Sequence, residues 1–431
     1  MHSLERSWVL IVILVISVVG ALSVGHPLFF SLAYLSGAIL SLSFMWAWLN
    51  LHWVKVTRQI RANNIHVGGF IEERLILQNT GPLPKLWIEL NDHSNLPFHR
   101  ASRVVSNLGG HGQQSWHVRT PAYQRGRYTL GPITLKSSDP FGLFPLSKEL
   151  PPNFVSHVVI YPMVVTLPSF HPPLGELVGG EAQRRRTHYV TTNVSGVRDY
   201  AFGDSFNRIH WPSTARTGRI IVKEFELDPI ADVWLLLDME KRVQVGPGYD
   251  EITLPKLPDV HWEKLPEFEL APSTEEYTVA ISASLAKHFL AQNRNVGLIA
   301  YSQTQHRDIA QSDRGERQLA RIYEMLAVTQ ANGTIPLANM LATEAMRLSR
   351  NTTVIIVTPA VDLQWIGAAR HITNRGVKVT AVVIDPGSFG SPYNALEAEI
   401  ELTTSHIPHY VVHYGDRLDI ALANAQGTRQ R

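Results

Sequence analysis

The chain has 431 residues, 45% of them hydrophobic and 18% charged, with a formal net charge of +2. This composition excludes wholesale disorder and a collagen-like fibre, and a mean hydropathy near zero excludes a many-span transporter. The absence of cysteine excludes a disulfide framework, a thiolate nucleophile and Cys-ligated zinc. The length allows two or three domains at roughly 100–200 residues each. The small net charge hides a division. Residues 1–226 hold 21 Lys and Arg against 13 Asp and Glu, whereas residues 227–431 hold 18 against 24. A basic front and an acidic back point to separate modules.

The N-terminal end reads as a helical hairpin over residues 1–52. Trp8 to Val24 and Leu28 to Leu49 are free of charge. At about 1.5 Å per residue they span roughly 25 and 33 Å, against a hydrocarbon core of about 30 Å. Gly25-His26-Pro27 between them leaves room only for a turn. Trp46, Trp48 and Trp53 gather near the end of the second helix, as aromatic groups do at headgroup level. Lys55, Arg58 and Arg61 follow closely, while the turn has no Lys or Arg. The positive-inside rule then places both ends, and the soluble part, in the cytoplasm beneath the inner membrane. A cleaved signal peptide is the competing expectation, opposed by the second apolar run that follows at once.

Residues 53–65 read as a basic juxtamembrane linker and residues 66–180 as a β-sandwich-like domain. In Phe70 to Leu77, Ile71, Leu75 and Leu77 share one face while Glu72 and Arg74 take the other, the period of a half-buried strand. Asn79-Thr80-Gly81-Pro82 is turn chemistry. Further strands are expected at 86–90, 115–119, 127–130, 133–136 and 155–160. Short strands between Gly, Pro and Asn turns suggest a small antiparallel sandwich. His93, His99, His111 and His117 have no metal-ligand spacing and read as solvated loop or strand histidines.

Residues 181–226 are dense in charged and aromatic groups, and three readings compete. Asp199, Asp204 and His210 are candidate acids or bases, with Arg198, Arg208 and Arg216 as anion holders, which makes a hydrolase-like enzyme one alternative. Arg184-Arg185-Arg186 with nearby Tyr and Trp suggests nucleic-acid binding. The favoured reading is structural or docking, with no nucleic acid and no catalysis. No nucleophile elbow, HExxH helix or phosphate loop accompanies the cluster.

Arg198-x-Tyr200-x-x-Gly203-Asp204-x-x-x-Arg208-Ile209-His210-Trp211-x-x-x-Ala215-Arg216-x-Gly218, closing on Val222-Lys223-Glu224, resembles the signature of a bacterial family. That family is domain of unknown function fifty-eight. Arg125-Gly126-Arg127-Tyr128 and Asp139-Pro140-Phe141-Gly142-Leu143-Phe144 resemble its other markers, and Asp199 stands where it usually has Glu. The resemblance implies two N-terminal helices, a β-rich segment and a C-terminal α/β domain. It also implies a partner, a MoxR-type AAA+ ATPase, with which such proteins are thought to assemble or activate other proteins. It brings no catalytic residue.

From residue 227 strands alternate with helices, the pattern of a doubly wound parallel sheet. Strands are expected at 233–237, 296–301, 353–358, 377–384 and 410–413. Ser273 to Glu276 reads as a capping box opening a long helix, with further helices at 316–327, 336–349, 364–374 and 418–424. The first strand ends in Asp238, which resembles a von Willebrand factor type A domain. That fold often holds Mg²⁺ with Asp-x-Ser-x-Ser, a later Thr and a later Asp. Here Glu240 and Arg242 replace the two serines, Thr334 suits the Thr position, and Thr358-Pro359 stands where Asp is often found. Asp238, Glu240 and Thr334 are the candidate ligands, but Arg242 neutralises the carboxylates itself, so no metal or other cofactor is expected. An outward-facing metal-dependent adhesion module is the remaining alternative. The insertion 243–273, with five prolines and six acids, reads as a solvated loop or a partner-binding lid. The expected function is a membrane-anchored, non-enzymatic scaffold.

Overall fold

The computed structural model describes residues 2–61, 65–172, 194–201, 206, 209–225, 232–252, 268–302, 308–350 and 352–423. The chain divides into two compact units, Met1–Met163 with Thr253–Glu269, and Val164–Ile252 with Leu270–Arg431.

The first unit begins with α1 (His2–Val24) and α2 (Pro27–Leu51), joined by Gly25 and His26 alone. Pro27 sits at the start of α2, where its missing N–H costs nothing, and the His26 ring accepts from the Leu28 amide. Both helices are long and apolar enough to cross a membrane. Val9, Ile16, Leu22, Leu35 and Leu42 keep most of their surface outside the protein.

Nine antiparallel strands follow: β1 (Val54–Arg61), β2 (Phe70–Asn79), β3 (Lys85–Asp92), β4 (Arg103–Leu108), β5 (Gln113–Pro121), β6 (Gly126–Leu130), β7 (Ile133–Ser137), β8 (Leu146–Glu149) and β9 (Ser156–Ile160). They form sheets of order β1-β2-β5, β4-β3-β7-β8 and β6-β9. Val56, Leu75, Leu77 and Trp116 from the first sheet share a core with Ile88, Leu90, Val105 and Leu135 from the second. Two faces closing on one core make the expected sandwich. One expectation fails here. Val54 to Arg61, read as a linker, is a strand paired with β2 from Val54↔Asn79 to Arg61↔Glu72. Its apolar alternation (Val54, Val56, Ile60) is masked in sequence by Lys55, Arg58 and Arg61. The short strand β8, Leu-Ser-Lys-Glu, carries too few apolar residues to announce itself, and β4, Arg-Val-Val-Ser-Asn-Leu, lacks a clean period of two.

The second unit holds β10 (Val194–Asp199), α3 (Trp211–Thr217) and β11 (Ile221–Phe225), with β10 and β11 paired antiparallel. An α/β body follows: β12 (Val233–Leu237), α4 (Thr274–Ala291), β13 (Val296–Ala300), β14 (Asp308–Asp313), α5 (Glu316–Val328), α6 (Leu337–Ala345), β15 (Thr353–Thr358), α7 (Gln364–Asn374), β16 (Lys378–Ile384), α8 (Leu396–Thr404), β17 (His409–Val412) and α9 (Leu418–Ala421). The sheet order is β14-β13-β12-β15-β16-β17, all parallel except β14, an antiparallel edge strand too polar to be read from sequence. Residues of α6, α7 and α8, among them Leu341, Trp365 and Leu402, pack on Leu236, Ile356 and Val383. The expected capping box is not formed: Ser273 is the N-cap of α4, but its hydroxyl makes no capping bond. The Thr274 hydroxyl bonds outside the helix, donating to Gln244 Oε1 at 2.7 Å and accepting from the Val245 amide at 2.8 Å. These bonds tie the two ends of the 243–273 insertion together. Its residues 253–267 lie outside the described residues.

Candidate functional site

The signature segment folds around the β10–β11 pair. Arg198 lies opposite Val222, Asp199 opposite Ile221, and Gly196 opposite Glu224. Ile209 bridges to Val222, and the His210 amide donates to the Ile221 carbonyl at 2.8 Å. Pro212 opens α3, Gly218 closes it in a left-handed conformation, and Arg216 occupies its last turn, where a cation suits the helix dipole. His210 Nδ1 is 2.7 Å from Ser213 Oγ. The Tyr200 and Phe206 rings stack at 6.3 Å, and Arg219 meets Asp199 at 3.7 Å on the surface. Lys223 is half-buried. Two aromatic side chains are turned outward, Trp211 at 68% and Phe206 at 73% exposure, while Ile209 and Val222 are buried. Gly203, Asp204 and Arg208 lie outside the described residues, as do Arg184 to Arg186 and the Glu224 side chain. Of the Asp204–Arg208–His210 trio, only His210 is among the described residues.

The second place is the carboxyl end of the large sheet. The chain runs from β12 to β13 on one side, then crosses to β15 on the other, so the β12–β15 crevice is the topological switch point where open α/β folds bind ligands. Asp238 directly follows β12 there and is buried. Thr358, ending β15, donates from Oγ1 to Asp238 Oδ2 at 2.7 Å, and the Glu240 amide donates to Oδ1 at 3.1 Å. Burial pushes the Asp238 carboxyl up. These two hydrogen bonds oppose the rise and the charges of Glu240 and Asp362 add to it, leaving the value at about 7. Burial also raises Glu240, against the pull of exposed Arg242. Glu240 bridges in parallel fashion to Gly333, and Lys241 N donates to the Gly333 carbonyl at 2.9 Å. A Cβ on Gly333 would stand 2.2 Å from the Tyr301 carbonyl oxygen, so only glycine permits this approach. Thr334 beside it is exposed.

A third cluster, in the first unit, was not expected. Arg58, Glu73, Asp92 and His99 have side chains only 0–3% exposed. Arg58 Nη2 donates to Asp92 Oδ2, and Arg58 Nε stands 3.2 Å from Glu73. His99 Nε2 is 3.0 Å from Asp92 Oδ2 and 3.3 Å from Glu73, and its Nδ1 is 2.9 Å from Thr120 Oγ1. The reading of His99 as a solvated histidine is therefore corrected. Burial disfavours its charge, but the hydrogen bonds and charges of Asp92 and Glu73 outweigh that and hold it at about 9. Asp92 is lowered: burial opposes its charge, and His99 and Arg58 more than compensate. Among the described residues, Glu73, Asp92 and His99 bring their ligand atoms within 4.8 Å of one another. The Arg58 guanidinium already lies against both carboxylates, and a second cation at the same point would be repelled by it. The signal was strand parity. Arg58 shares a face with Val56, Glu73 with Ile71 and Leu75, and Asp92 with Leu90, so period two points all three inward.

Residues 196–251 match the family described as Protein of unknown function DUF58, a stretch that includes the signature residues together with Asp238 and Glu240. No curated protein matches the chain. Among solved structures, the pilus adhesin SpaC from Lactobacillus rhamnosus GG is 13% identical with a TM-score of 0.30, covering 45% of this chain. The chain spans only 28% of the length of that adhesin. A von Willebrand factor type A protein from Catenulispora acidiphila is 10% identical with a TM-score of 0.28, covering 47% of this chain and 42% of that one. Proximal thread matrix protein 1 from the mussel byssus is 15% identical with a TM-score of 0.29, covering 44% and 46%. Likenesses this slight assign neither activity nor partner. The similarity that bears on the site is the one to the DUF58 family over the signature segment.

Proposed function

We propose that this chain is a two-pass inner-membrane adaptor whose soluble part lies in the cytoplasm and binds a MoxR-type AAA+ ATPase. The observation that carries the proposal is the outward display of Trp211 and Phe206 within the family-matched segment. Large aromatic groups exposed beside Arg216 and Arg219 are the composition of interface anchors rather than of a core. The reading is non-enzymatic, because the described polar groups of the segment are engaged locally: His210 with Ser213, and Arg219 with Asp199. It is also metal-free. Both Asp238 oxygens already accept hydrogen bonds, and Arg242 supplies positive charge near Glu240. A hard divalent ion needs several free, ionised oxygens. The α/β body is read as a von Willebrand factor A-like fold without its ion.

The test is capture from detergent extracts with the full chain and with a Trp211→Ala, Phe206→Ala pair. Both side chains are exposed, so the fold should persist. The pair is expected to lose the ATPase. Undiminished capture would show that the signature segment is not the docking face. Calorimetry with Mg²⁺ should give no binding heat, and a stoichiometric signal would restore the metal-dependent alternative.

A further inference from the structure

The Asp139–Phe144 loop has no role in the adaptor reading, yet it is built with care. Asp139 is buried, and its two carboxylate oxygens accept the amides of Phe141 and Phe144 at 2.9 and 2.8 Å. Gly142, at φ +69°, adopts the left-handed turn that this wrap requires. The loop grips both helices of the hairpin. Ser7 at the start of α1 donates its hydroxyl to the Leu143 carbonyl. Asn50 at the end of α2 donates to the Ser138 carbonyl at 3.0 Å, and Phe44 meets Phe144 edge-to-face at 5.7 Å. Phe141, at the tip, is 65% exposed.

The depth of the loop follows from these partners. In sequence, Arg6 is the last charge before the apolar run of α1 and Trp8 opens it, so Ser7 marks the boundary of that segment. Phe44 lies six residues before Asn50, about 9 Å further along the helix axis and well inside the apolar run of α2. The loop that touches both positions therefore sits at the level where headgroups meet acyl chains. A second loop stands beside the end of α2. Thr80 bonds the Trp53 carbonyl through its amide and hydroxyl at 2.7 and 2.8 Å, and Lys85 reaches the Leu49 carbonyl. Leu83 in this loop and Leu86 at the start of β3 are exposed.

We infer that the Asp139–Phe144 loop is a membrane-interface collar, which clamps the cytoplasmic ends of both helices and inserts Phe141 into the headgroup–acyl boundary. Its occupant is lipid, because the loop that carries the exposed ring packs through Phe144 on Phe44 within the apolar run of α2. Aromatic rings at this depth hold a domain at a fixed height on the bilayer. The inference rests on the two-pass reading.

The chain lacks cysteine, so single cysteines can carry an environment-sensitive fluorophore in the full-length protein in lipid nanodiscs. Three sites suffice: Phe141→Cys, Ile16→Cys in the middle of α1, and Arg100→Cys at the end of the sandwich beyond β3. The label at 141 is expected to emit blue-shifted light and lose it to lipids with a nitroxide near the headgroup. The label at 16 should be quenched by a deep nitroxide, and the label at 100 by neither. Water-like emission at 141 with quenching at 16 overturns the collar and leaves the spans intact. Loss of quenching at 16 as well overturns the spans. A label at 141 that is shielded yet unquenched is covered by protein, including a second copy of this chain, and also overturns the proposal. Adding Asp139→Ala should return the 141 label to water while leaving 16 unchanged.

Discussion

Both units bury carboxylates, and they do so in opposite ways. In the β unit, Glu73 and Asp92 face Arg58 and protonated His99, so charge is matched inside the core. In the α/β unit, Asp238 is buried and, among the described residues, is supported by hydrogen bonds alone, while Glu240 and Asp362 add charge of the same sign. The first arrangement lowers Asp92, and the second raises Asp238. Matched burial is what a structural clamp needs. Unmatched burial at a topological switch point is what ligand sites often show, and the comparison teaches which of two acidic clusters to probe for function.

The largest expected effect comes from breaking the matched cluster. Glu73→Ala leaves two buried cations facing one carboxylate and should destabilise the β unit by about 3–5 kcal/mol. Hydrogen exchange of the β2 amides in the full chain would read this, and wild-type protection in the variant would refute the clamp.

The unmatched site answers to pH. The folded value of Asp238 lies above the unfolded one, so stability is full below about pH 4 and falls until about pH 7, by about 4 kcal/mol in all. Asp238→Asn should flatten that slope in the exchange of β12, and an unchanged slope would mean that another group titrates there.

His99 sets a different window. Its folded value of about 9 exceeds the unfolded one near 6.5, so the β unit keeps this stabilisation below that lower value and loses about 3 kcal/mol as pH rises to 9. His99→Gln should remove the alkaline slope and leave the Asp238 slope alone. Asp92, lowered, contributes on the acid side, where stability is lost as pH falls through its folded value.

Smaller effects sharpen the contrast. Thr358→Val removes the hydroxyl that supports the Asp238 carboxylate and should cost about 1–2 kcal/mol, with Asp238 titrating higher still in carboxyl infrared spectra. A lower Asp238 value in that variant would contradict the geometry. Arg242→Ala should raise Glu240 further, with little change in stability, because Arg242 is exposed.

The unmatched cluster was visible in sequence and the matched one was not, for a physical reason. Asp238 and Glu240 lie two residues apart at the end of an apolar strand, so the chain itself brings them together. Arg58, Glu73, Asp92 and His99 come from three strands and a loop. Each alone looks like an ordinary surface charge. Strand parity turns three of them inward, but parity cannot say which inward charges will meet. The same blindness hid β1, whose basic residues suit a juxtamembrane linker as well as a strand.

Sequence alone determined what depends on local period and composition. Two apolar runs of membrane length, the change to period two after Phe70, and the continuous apolar strands after Val233 all follow from neighbours along the chain. Tertiary structure decided what depends on residues far apart. It set the sheet order that makes Asp238 and Thr358 partners across 120 positions. It neutralised Glu73 with Arg58 and His99. It also brought Ser7 to Leu143 across 136 positions, fixing a loop at the foot of the hairpin. Long-range contacts form only once the register of whole sheets is set, and that register is a property of the packed core rather than of any one segment.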